Sequence, residues 1–91
     1  LREFDSVLEI EVRQRLLDLD SAQASVAAAA DGIRAAAEAR RVVEERFKAG
    51  VAINTESLDA QQALLQAELE RTRALANVRL AEARLERALG R

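Results

Sequence analysis

The chain has 91 residues, 33% of them charged and 2% aromatic, a net charge of −2, three Gly, and no Pro, Cys, His or Met. That length allows one small domain at most, and the composition is that of long helices or coiled coil, not of a globule with a compact core. It excludes disulfides and thiolate metal sites, and the mixed charge with almost no aromatic rings excludes a basic, base-stacking nucleic-acid face.

The first element spans about residues 1–49 as one helix. Leu1-Arg2-Glu3-Phe4 already reads as mid-helix, so the chain reads as a piece of a longer protein. The longest uncharged run, Ser21 to Ala30, is far short of the roughly 20 residues that a bilayer span requires. A heptad-like stripe runs through Leu8, Val12, Leu19, Ala22, Val26, Ala29, Ile33, Ala36, Val43 and Phe47, with Arg15 and Arg40 interrupting it. Alanine dominates from Ala22 to Ala39, which favours helix and lets helix axes approach closely. Gly32, inside this stretch, reads either as a tolerated surface glycine or as a point of close helix contact.

The second element is a tip at about residues 50–54. Gly50 can take the left-handed conformation that ends a helix. Asn54 and Thr55 offer side-chain oxygens to cap the next one. Glu56 and Asp59 then bring negative charge to its first turn, where the helix dipole favours it. Val51 and Ile53 make the tip apolar, which suggests a packed turn and not a floppy linker.

The third element is a helix over about residues 55–90, ended by Gly90. Its seam is regular: Ala60, Ala67, Ala74, Ala81 and Ala88 recur every seven residues, with Leu64, Arg71, Val78 and Leu85 between them. Small and large positions alternate, which suits a tightly spaced antiparallel pair. The fold class is therefore all-α, an antiparallel two-helix coiled-coil hairpin, because two helices joined by so short a connection fold back on each other. Symmetric pairing about Ala52 sets Arg84 and Arg87 beside Asp20 and Asp18, and leaves Leu1, Phe4, Leu8 and Ile10 without partners.

One proportion carries further meaning. A two-stranded coiled coil needs two apolar positions in seven, about 29%, whereas this chain is 49% apolar. Leu17, Val42, Leu58, Leu65, Leu69, Leu75 and Leu80 lie off the seams, so a second packing surface is expected. There is no Gly-rich phosphate loop, no His or Cys, and paired carboxylates occur only on helices. No catalytic residues, metal ligands or cofactors are expected, and the chain does not read as an enzyme.

The run Glu45-Arg46-Phe47-Lys48-Ala49-Gly50, followed by Leu58-Asp59-Ala60-Gln61, resembles the TolC-like outer-membrane efflux proteins. Leu85-Glu86-Arg87-Ala88-Leu89-Gly90 resembles the end of that family's second repeat. Val12-Arg13-Gln14, Leu16-Leu17-Asp18-Leu19 and Ala22-Gln23 match the start of the same hairpin. The resemblance implies a trimer with an outer-membrane β-barrel and a periplasmic α-helical barrel, of which this chain is a hairpin fragment without the membrane-spanning barrel.

It further implies that the tip, Gly50, Val51, Ala52, Ile53, Asn54 and Thr55, docks a periplasmic adaptor linked to an inner-membrane pump. It makes Asp59, with Glu56, the acidic constriction of the duct's entrance. No nucleic-acid partner is implied. Phe47 stands where some members have tyrosine and Ala52 where some have arginine, so a latch made by those polar groups must differ here. Two alternatives stand beside this reading. One is the adaptor's own coiled-coil hairpin, against which Gly50 counts, because adaptor tips carry a Leu at that spacing from Arg46 and Ser57. The other is a generic structural coiled coil, which leaves the order of the tip residues unexplained.

Overall fold

The computed structural model describes residues 2–90. Two helices account for nearly all of them: α1, Arg2–Lys48, and α2, Asn54–Ala88. No strand occurs among the described residues, and the chain is an all-α antiparallel coiled-coil hairpin. Charge follows the helix dipoles. Glu3 and Asp5 lie in the first turn of α1 and Arg46 and Lys48 in its last, while Glu56 opens α2 and Arg87 closes it. Among the described residues, no helix is long and apolar enough to cross a membrane.

The chain divides into two compact units. The first, Ala27–Thr72, holds the end of α1, the turn and the start of α2. Here Ala29, Ile33, Ala36, Arg40 and Val43 of α1 are half-buried, as are Ala60, Leu64 and Ala67 of α2. Arg40 therefore continues the stripe that its charge interrupts in the sequence. Its side chain is half-exposed, and Nε donates to the Glu44 carboxylate at 2.9 Å. Arg71, at the matching heptad position of α2, is exposed.

The second unit pairs Leu1–Val26 with Arg73–Arg91. Ala74 and Ala81 are buried, and Val78, Leu85 and Ala88 of α2 and Val12, Leu19, Ala22 and Val26 of α1 are half-buried. Arg15 behaves as Arg40 does. It is half-buried, and its Nη1 donates to the Asp18 carboxylate at 3.3 Å. Of the residues expected to lack partners, Phe4, Leu8 and Ile10 are exposed, and Leu1 lies outside the described residues.

In both units the deepest positions are alanines. A methyl at the interface lets the axes come close, but it removes little apolar surface from water. Most of the hydrophobic stabilisation therefore comes from the half-buried Leu, Val and Ile side chains around it.

Candidate functional site

The tip is built mainly from backbone. At the end of α1 the Ala49 N–H donates to the Glu45 carbonyl (3.1 Å), the Gly50 N–H to Phe47 (3.0 Å) and the Val51 N–H to Arg46 (2.9 Å). The last two bonds are the 5→2 and 6→1 pair of a Schellman motif, which satisfies carbonyls that a helix end leaves open. The motif requires a left-handed residue at its C′ position, and Gly50 takes it with φ of 77°.

The start of α2 differs from the sequence expectation. The Ile53 carbonyl accepts both the Glu56 N–H (3.1 Å) and the Ser57 N–H (3.3 Å), so Ile53 is the N-cap residue. Asn54 and Thr55 are thereby the first two helical residues, one turn position too late for their side-chain oxygens to cap. The favourable cap chemistry of Asn and Thr gives way to the geometry of a short turn, which must return the chain within five residues.

That turn sorts the tip side chains into two sets. Ala52 is buried at 9% exposure, tucked inside the reversal, whereas Val51 and Ile53 on either side of it are 64% and 65% exposed. Leu58, one turn into α2, is 62% exposed, and Gly50, Asn54 and Thr55 are also exposed. The two carboxylates differ as well. Asp59 is exposed and makes no ion pair among the described residues, while Glu56 is half-buried, with Oε2 3.6 Å from Nη1 of Arg46. That oxygen is shielded from solvent and accepts no hydrogen bond.

Within the unit formed by Leu1–Val26 and Arg73–Arg91 lies a groove of about 280 Å³. Asp18, Ser21 and Ser25 line one side and Asn77, Leu80 and Arg84 the other. Arg84 thus shares a groove with Asp18 and not, as the symmetric register suggests, with Asp20. Nor does Asp18 meet Arg87: its carboxylate is taken up on its own helix, by Gln14 at 2.9 Å and Arg15 at 3.3 Å.

The family comparison covers all of these features. The family of outer membrane efflux proteins matches residues 8–91, which include the tip and almost all of both helices. The chain belongs to that family. Comparison with curated proteins and with solved structures finds no match. As an outer membrane efflux protein the chain is set apart from the adaptor hairpin and from a generic coiled coil. Arg46 is the tip residue that sequence reading leaves without a role. Its signal is a cation in the last turn of α1 and an acid in the first turn of α2, joined by a short reversal.

Proposed function

We propose that this hairpin is the periplasmic arm of a homotrimeric outer-membrane efflux or secretion duct. Its tip forms the channel entrance and docks a periplasmic adaptor that links the duct to an inner-membrane pump. The reading rests on membership of the efflux family, and one observation carries it: the reversal presents Val51, Ile53 and Leu58 to solvent. Apolar surface left in water costs on the order of 25 cal/mol per Å² relative to burial, so a patch fixed at a tip by backbone bonds is suited to a partner that covers it.

In this arrangement Gly50, Asn54 and Thr55 supply exposed backbone and polar groups around the apolar centre. Ala52 supports the turn from inside. Asp59 faces the aqueous entrance, and repetition of the hairpin by symmetry makes it an acidic ring. The seam of Ala60, Leu64, Ala67, Ala74, Val78, Ala81, Leu85 and Ala88 holds the two helices together. Leu17, Val42, Leu65 and Leu69, exposed in the hairpin, pack against neighbouring helices of a barrel wall. The role is that of a conduit and requires no chemistry at the tip.

Single cysteines test it in the assembled protein in intact cells. Val51→Cys is expected to crosslink to the adaptor and Asp59→Cys to its symmetry mates across the channel axis. Absence of both crosslinks from correctly assembled protein overturns the reading.

A further inference from the structure

The two carboxylates of the first turns of α2 are three residues apart, yet they live in different surroundings. Asp59 is exposed and unpaired among the described residues. Glu56 has one oxygen shielded from water without a hydrogen bond, and the only cation against it among the described residues is Arg46, at 3.6 Å. An ionised oxygen removed from water without a hydrogen bond requires an opposite charge to hold it there. Arg46 is also fixed at its other end, because its carbonyl accepts the Val51 N–H in the turn that stops α1. The turn thereby fixes the backbone position from which the Arg46 side chain reaches Glu56.

We propose that Arg46 is a positioning residue that draws Glu56 inward and leaves Asp59 as the free carboxylate of the pair. Arg46 then sets how many negative charges each hairpin presents at its tip. The contact is a single one between half-exposed side chains, not a bidentate pair, so it is exchangeable. The consequence for an entrance rests on the function proposed above; the pairing itself does not.

Carbodiimide-driven coupling of a small amine to carboxylates, followed by peptide mass spectrometry, reads the pairing in the chain itself. Asp59 is expected to label several-fold faster than Glu56. Arg46→Gln leaves the backbone turn in place and is expected to raise Glu56 labelling several-fold, with Asp59 unchanged. Arg46→Lys keeps most of the protection, and Lys48→Gln, which removes a cation from the same turn, leaves it intact. Equal labelling of the two acids in the parent chain, or no effect of Arg46→Gln, overturns the proposal, as does an equal effect of Lys48→Gln. In the assembled duct, Arg46→Gln should increase cation selectivity and Arg46→Gln with Glu56→Gln should restore it. A labelling change without a selectivity change leaves the pairing standing and removes the entrance reading.

Discussion

Val51 donates its backbone N–H to the Arg46 carbonyl at 2.9 Å, and this bond fixes the point at which α1 stops. It closes only because Gly50, between them, has a positive φ. A Cβ at Gly50 meets nothing within 4 Å, so the obstacle to a side chain there is conformational, not steric crowding by neighbours. Gly50→Ala is therefore expected to destabilise the hairpin by about 1 kcal/mol. Urea denaturation followed by circular dichroism measures this, and an unchanged midpoint would contradict it.

Gly32 predicts the opposite sign. It sits inside α1 with no positive φ, it is exposed, and a Cβ there also meets nothing within 4 Å. Within the hairpin it is a surface glycine and not a contact point. Gly32→Ala should stabilise the isolated chain by roughly 0.5–1 kcal/mol through helix propensity and reduced freedom of the unfolded state. A rise in thermal midpoint is the expected result.

The buried alanines predict sensitivity to added volume. Ala81 is 7% exposed at the base of the groove between the two helices. Ala81→Leu pushes the helices apart and is expected to cost about 1–3 kcal/mol. Leu80→Ala, next to it and 48% exposed, should cost much less. Equal effects of the two substitutions would remove the distinction between seam and surface.

Apolar side chains outside the seam predict self-association. Val7, Leu17 and Leu75 are exposed in one unit, and Leu58, Leu65 and Leu69 in the other. The chain in solution should therefore associate as its concentration rises. Sedimentation equilibrium reads this, and a clean monomer at high concentration would count against a second packing surface.

A pH dependence follows from the Glu38–Arg41 pair, whose two hydrogen bonds are 2.7 and 3.0 Å long. Hydrogen bonding to Arg41, and then its charge, hold the Glu38 carboxyl below its usual value. A carboxyl whose folded value is depressed adds stability above its unfolded value, and that contribution disappears as pH falls through the folded one. The difference in helicity between the parent and Glu38→Gln should therefore be present at neutral pH and vanish below the carboxylate range. A difference that persists in acid would assign the effect to helix propensity instead.

Much of this architecture is legible in the spacing of residues. Alternating three- and four-residue steps define one face of each helix, and the half-buried positions of α2 fall on that face from Ala60 to Ala88. What a heptad leaves open is the path of a long side chain. Arg15 and Arg40 lie half-buried in the stripe with their charges paired to Asp18 and Glu44 on the same helix, whereas Arg71 is exposed. The start of α2 was obscured because Asn and Thr are better caps than Ile, while the reversal favours Ile53 by backbone geometry alone. The Arg46–Glu56 contact crosses a turn, so the short-range pairing rules for a single helix do not reach it.

The clasp at the tip also bears on the order in which the hairpin assembles. Arg46 and Glu56 are ten residues apart in the chain, whereas Asp18 and Arg84, which line one groove, are separated by sixty-six. Chain closure grows costlier as the logarithm of loop length, and this difference amounts to about 1.7 kcal/mol of entropy. Contacts near residues 46–56 should form first in the unfolded chain, and the seam should then zip outward from them. The turn that reverses the chain is in that sense also the nucleus from which its two helices are expected to align.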